Sequence, residues 1–499
     1  MKERAIGILL HIASLPSRYG IGTFGKKAYD FINILATHGI KYWQVLPLVQ
    51  TGYGDSPYQA VYSGAGNPYF IDLECLVKDG LLKKNELAIC RNTKSKIDYA
   101  FLYQNKYKAL RQAYKRFDVK EKAFIEFVKE GRFNAYALFM TIKEKFNQIS
   151  FDQWPSQYKL AQKRALKKIV KENREEYTFW LFLQYKFFKQ WNELKKYANE
   201  KGIEIIGDIP LYVAYDSVDV WLNPELFKLN SDRSLKKVAG VPPDYFSVTG
   251  QLWGNPVYKW SAHRKNGYLW WKNRFRQAFE MYDVVRVDHF RGFDRYYEID
   301  ASEKTAEKGK WKRGPQYEFF LSIEKELGRL RIIAEDLGKQ DLGVQRLMEK
   351  TGYPGMKVIQ FAFDGNTRNP YLPKNICENS VCYTGTHDND TMLGYIKSMN
   401  STSYSTFCSN LNKVSLKSVV NIKDKKAIAK NIVFIALNSP SYLTIIPLQD
   451  ILLLDSRARM NTPSLLTGNW QFKLYSLPDS KVMDGFTEMV KKTHRYNSF

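Results

Sequence analysis

Apolar residues in this chain come in short runs rich in Val, Ile and Leu, and between the runs lie longer stretches whose apolar positions repeat at helical spacing. That rhythm predicts strands alternating with helices around a parallel sheet. Eight runs stand out, at residues 5–10, 42–46, 203–208, 284–288, 331–335, 357–361, 380–383 and 442–446. Eight is the number that closes a parallel barrel, so the predicted fold is α/β, a (β/α)8 TIM barrel that takes in residues 1–499 as one unit. The spacing of the runs is uneven. About 150 residues separate the second from the third, and residues 80–201 within that gap are amphipathic and rich in Lys, Phe, Tyr and Trp, which predicts an inserted helical subdomain. Residues 212–271 carry Val241-Pro242-Pro243 and Gly254-Asn255-Pro256, whose prolines and glycines forbid a continuous helix. A loop-rich insertion over the active-site face is expected there.

Four of the runs end in acids: Asp208, Asp288, Glu335 and, after a short polar extension, Asp388. Barrels of this kind gather their reactive groups at the C-terminal strand tips, so these acids are expected to converge. Converging carboxylates without His or Cys clusters suit acetal cleavage, in which one acid protonates the departing oxygen while another meets the sugar carbon. Arg286 stands two residues before Asp288, on the same strand face, and a nearby cation favours an ionised Asp288. Glu335 follows Ile332-Ile333-Ala334 on a longer side chain and is the expected proton donor. Asp388 beside His387 is placed to hold sugar hydroxyls. Asp336 and Asp390 are expected as groups that support the site from behind or as caps, and His11, His38, His263 and His494 lie outside the acidic segments and receive no catalytic role.

Composition changes this picture little. Lys+Arg 76 against Asp+Glu 51 gives +25, an excess that prompts a search for a nucleic-acid partner, yet the charge is spread along helical text such as residues 106–120 and 159–171 without a nucleic-acid motif. A solvated helical surface accounts for it. The chain has 33 Tyr, 30 Phe and 11 Trp, enough rings to serve both a core and sugar stacking. The five cysteines are odd in number and form no CxxC pair, so they read as free thiols in a reducing compartment. No apolar stretch approaches a membrane span, and the N-terminal run soon reaches His11 and Ser14, so a cytoplasmic protein is expected. No phosphate-binding glycine loop, dinucleotide fingerprint or HExxH is present, and Asp388-Asn389-Asp390 lacks the remaining ligands of a calcium loop. Neither a cofactor nor a metal is expected, and neither nucleic acid nor membrane as a partner.

Ordered segments along nearly the whole chain resemble the amylomaltase, or 4-alpha-glucanotransferase, family, the glycoside hydrolase family 77 type within the alpha-amylase clan. They include Ser14-Leu15-Pro16-Ser17, Gly54-Asp55-Ser56-Pro57-Tyr58, Ala65-Gly66-Asn67-Pro68, the 242–260 loop, the acidic strand ends, Ala458-Arg459-Met460-Asn461-Thr462-Pro463 and Gly468-Asn469-Trp470. The resemblance implies Asp288 as nucleophile, Glu335 as general acid/base and Asp388 as transition-state stabiliser. It further implies a substrate-binding set of Tyr58, Asp208, Arg286 and His387, with Tyr245, Phe246 and Trp253 steering the acceptor and Tyr53 in a more remote glucan groove. Three positions depart from the family pattern: Lys374 where histidine is common, Arg457 where an acid is common and Gln316 where glycine is usual. The implied function is transfer of alpha-1,4-glucan segments from donor to acceptor by a retaining double displacement. An alpha-amylase-like hydrolase needs the same acids and is the nearest alternative; a non-catalytic binding protein would not need the full set of Arg286, Asp288, Glu335 and Asp388.

Overall fold

The computed structural model describes residues 3–497 apart from 53, 244–246, 339–340, 415–422, 464 and 466. In chain order the strands are β1 (Ala5–Leu9), β2 (Tyr42–Gln44), β3 (Glu204–Ile209), β4 (Lys237–Val241), β5 (Gln251–Pro256), β6 (Val284–Val287), β7 (Arg295–Asp300), β8 (Lys310–Arg313), β9 (Ile332–Ala334), β10 (Gly355–Val358), β11 (Ser380–Tyr383) and β12 (Leu443–Pro447). Eight of them close into a parallel barrel in the order β1-β2-β3-β6-β9-β10-β11-β12, with β12 pairing back on β1. This is the (β/α)8 barrel that the run spacing predicts. Its strands are buried along almost their whole length, as expected for sheets covered by helices on one side and filled by side chains on the other.

The sixth barrel strand starts earlier than expected, at Gly355, and ends at Val358, while Ile359–Phe361 form a 3-10 turn. Ile359 is fully buried, so the apolar run continues past the strand into the packing at the barrel rim, and hydrophobicity alone cannot mark where the strand stops. A second difference lies in residues 212–271. That segment contributes β4 and β5 to a four-stranded antiparallel sheet, in the order β5-β4-β7-β8, with its own small core of Val238, Tyr297, Ile299 and Ala306.

Between β2 and β3 run the helices Tyr99–Arg116, Lys122–Lys129, Asn134–Lys145, Lys163–Glu172 and Arg174–Glu200. The last of these holds the loop that follows β2. Gln184 accepts from Gly66 N at 2.8 Å and donates to Gly66 O at 2.9 Å, and Gln190 accepts from Asp72 N at 2.7 Å. A side chain at residue 66 would collide with the Phe187 ring, its Cβ only 2.2 Å from the nearest ring atom, so the glycine lets loop and helix meet at backbone distance. At the opposite face the buried Arg495 donates to the carbonyls of Ala5, Leu437, Ser439, Ser441 and Tyr442. One guanidinium thereby clamps both sides of the β1–β12 seam.

Candidate active site

Strand register builds the centre of the site. Asp208 on β3 lies beside Arg286 on β6, and Val287 beside Ala334 on β9. Asp288 and Glu335 are therefore the next residues along their strands, both at the C-terminal tips. Gly207, just before Asp208, lets Tyr282 approach, because a Cβ there would sit 2.1 Å from that ring.

Arg286 is the hub. Its Nη1 donates to Asp208 Oδ2 at 2.7 Å and its Nη2 to Asp288 Oδ1 at 2.9 Å. Burial works against the guanidinium charge, but Asp208 and Asp288 outweigh it and hold its pKa well above the ordinary arginine range. The two aspartates differ in access: the Asp208 side chain is 0% exposed and that of Asp288 30% exposed. Of the two, Asp288 is the one open to the cleft. Asp208 also accepts from the Tyr58 hydroxyl at 2.8 Å, and burial pushes its pKa up to about 7.

Glu335 accepts from two backbone amides, His289 N at 2.7 Å and Leu337 N at 3.0 Å. Those bonds favour the charged carboxylate. Burial and the charge of Asp288 outweigh them, and the pKa of Glu335 rises to about 7. One carboxyl is thus paired to a cation, and the other is buried with its pKa raised.

His387 and Asp388 lie beyond β11. The His387 ring stacks on Tyr58 with centroids 5.0 Å apart at 13°, and its Nε2 is 3.3 Å from Asp388 Oδ1. Burial holds the imidazole below its usual pKa, which favours the neutral ring. Trp253 on β5 meets His289 edge-on at 4.8 Å and bonds Gln251 Oε1 through its indole N–H. Tyr53, Tyr245 and Phe246 lie outside the described residues.

Four further residues belong to this site. Asn461 Nδ2 donates to Asp388 Oδ1 at 2.6 Å, and Arg459 Nη2 donates to the Asp388 carbonyl at 2.8 Å. Trp470, with φ at 62°, tilts against both Tyr58 and His387. His289, with φ at 47°, presents its backbone N–H to Glu335. Left-handed backbone at bulky residues is unusual and clusters at functional sites. Of the three departures from the family pattern, Gln316 also holds a left-handed φ of 62°, the conformation a glycine takes freely, and its side-chain amide bonds Asp294 O at 2.6 Å and Asp294 Oδ1 at 2.9 Å. Arg457 pairs with Asp455 on the surface, and Lys374 is exposed.

Among the described residues, no group of three or more His, Cys, Asp or Glu side chains is arranged to hold a metal ion. The family model for 4-alpha-glucanotransferase matches residues 10–478. The 4-alpha-glucanotransferase of Clostridium butyricum is 44% identical over 470 residues, covering 93% of this chain and 95% of that protein. Its counterpart from Streptococcus pneumoniae is 44% identical over 483 residues, covering 95% and 94%. The amylomaltase of Streptococcus agalactiae, solved in complex with acarbose, shares the fold with a TM-score of 0.94 at 38% identity, over 99% of this chain and 100% of that one. Matches of that length and identity, on a barrel whose strand tips bring Asp208, Arg286, Asp288 and Glu335 together, show that this chain belongs to the 4-alpha-glucanotransferase family.

Proposed function

We propose that this protein transfers alpha-1,4-glucan segments between malto-oligosaccharides by a retaining double displacement, with Asp288 as nucleophile and Glu335 as acid/base. The observation that carries the reading is the unequal pair of carboxyls: Asp288, open to the cleft and fixed by Arg286, and Glu335, buried and pushed up to about 7. Glu335 gives its proton to the bridging oxygen as the bond to the anomeric carbon breaks, and an Asp288 oxygen bonds that carbon. The shortened glucan leaves. The 4-hydroxyl of an acceptor then attacks the same carbon, Glu335 takes the hydroxyl proton, and the Asp288 ester bond breaks. Asp388, held by Asn461, supports the positive charge that builds on the ring. Asp208 acts behind them by neutralising Arg286 and fixing the Tyr58 hydroxyl.

Incubation with maltotriose alone tests transfer against hydrolysis. Shorter and longer oligomers should appear together with almost no net gain in reducing ends. A steady gain in reducing ends without longer products contradicts the proposal and favours the hydrolase reading.

Two further outcomes are expected. Because Glu335 keeps its proton up to about pH 7, kcat/KM should hold on the acidic side of that value and fall tenfold per unit above it, as the donor form is lost. A decline already complete by pH 5.5 contradicts the assignment. Trp253→Ala should leave bond cleavage running while raising the ratio of reducing ends formed to glucosyl units transferred by about two- to tenfold, the equivalent of one aromatic contact. An unchanged ratio at wild-type stability removes Trp253 from acceptor binding.

A further inference from the structure

The segment that carries His387 and Asp388 closes one side of a cavity of about 20 Å³, which His11, Gln449, Asp450 and Arg459 also line. His11 follows the tip of β1, is 7% exposed and sits edge-on against Phe70 at 5.3 Å. Its Nδ1 is buried and has no hydrogen-bond partner among the described residues. Burial lowers its pKa to about 3, with His387 acting in the same direction, so the ring is neutral. An unpaired buried ring nitrogen is costly, and folded proteins meet such atoms with ordered water where space allows. A cavity needs about 10–15 Å³ to hold one water and two or more polar partners to bind it. This one is of that size.

The polar groups across the cavity lead to Asp388. Arg459 donates through Nε to Asn461 O at 2.8 Å and through Nη2 to Asp388 O at 2.8 Å. Asn461 in turn donates from its backbone to His387 O at 3.1 Å and from its side chain to Asp388 Oδ1. Both Asp450 oxygens already accept, from Thr384 Oγ1 and Met392 N, whereas the Gln449 amide and the Arg459 guanidinium, which also line the cavity, carry N–H groups beyond those bonded to Ala458 O, Asn461 O and Asp388 O.

We propose that one ordered water fills this cavity, bonds His11 Nδ1 and ties it to the Gln449 and Arg459 side, making His11 a positioning residue for His387 and Asp388. The inference rests on the reading of Asp388 as a group of the reaction centre, and the test separates the two. A diffraction structure of the wild-type protein should show a water within hydrogen-bond reach of His11 Nδ1; a dry cavity overturns the proposal and needs no variant. His11→Phe should lower kcat on maltotriose about tenfold, or 1.36 kcal/mol of barrier, with KM within about twofold and an unchanged melting temperature. His11→Asn, which restores a polar atom near Nδ1, should recover most of that loss. Wild-type kcat in His11→Phe, or no recovery in His11→Asn, overturns the role of His11, while Asp388→Asn reports on the site itself and should be inactive whichever way His11 behaves.

Discussion

Asp288→Asn is expected to reduce transfer from maltotriose by about 10⁴-fold or more, the scale on which loss of a covalent nucleophile is felt, with little change in melting temperature. The substitution removes one charge and almost no volume. Arg286 keeps its buried partner Asp208 at 2.7 Å, so the barrel wall stays neutralised. The same change should lower the pKa of Glu335, because the Asp288 charge is the second cause, after burial, that holds it up. The nucleophile and much of the protonated form of Glu335 at neutral pH are therefore lost together. Residual activity above about one per cent in a preparation free of deamidated protein contradicts the role given to Asp288.

Arg286→Met is expected to destabilise the fold as well as abolish activity. Removing one partner of a buried ion pair costs roughly 3–5 kcal/mol, because the other charge is left without compensation. Here the stranded group is Asp208, which no solvent reaches. The loss should depend on pH in a definite sense. The folded-state pKa of Asp208 already lies above the ordinary carboxylate value, at about 7, and without Arg286 it rises further. A carboxyl with a raised folded pKa favours folding below its unfolded pKa, and that contribution disappears as pH climbs through the folded value. Arg286→Met should therefore melt far below wild type at pH 8 and much closer to it at pH 4.5. The double variant Asp208→Asn/Arg286→Met removes the stranded charge and should regain most of the stability at pH 8 while remaining inactive. Equal losses at both pH values show that the cost is one of packing.

The barrel was legible because each of its strands is an apolar run bounded by polar text, and the acids because they end those runs. What stayed hidden has physical causes. β8, Lys310–Arg313, is exposed at every position; it exists through pairing with β7, which leaves no apolar alternation to read. β4 and β5 carry Gly240, Gly254 and Pro256, residues that argue against strands unless their partners are known. Arg459 and Asn461 hold Asp388 from a segment without apolar period, so spacing gave them no role. His289 was in plain view beside Asp288, but its contribution is a backbone N–H aimed by a left-handed φ, and side-chain chemistry cannot announce that. The Asp208 to Arg286 pairing was out of reach for a related reason: register between β3 and β6, 78 residues apart at that pair, is set by barrel closure.

The most direct test of the account is to trap the glycosylated protein. Glu335→Gln, given maltosyl fluoride, should still form the covalent intermediate, because fluoride leaves without a proton, and should turn it over slowly, because no base remains to activate the acceptor. Intact-mass and peptide mass spectrometry should then place one maltosyl unit on the peptide that contains Asp288, with the adduct discharged by added maltose into a longer oligomer. A maltosyl unit on any other residue, or fluoride release with inverted product and no adduct, contradicts the retaining mechanism and the nucleophile together.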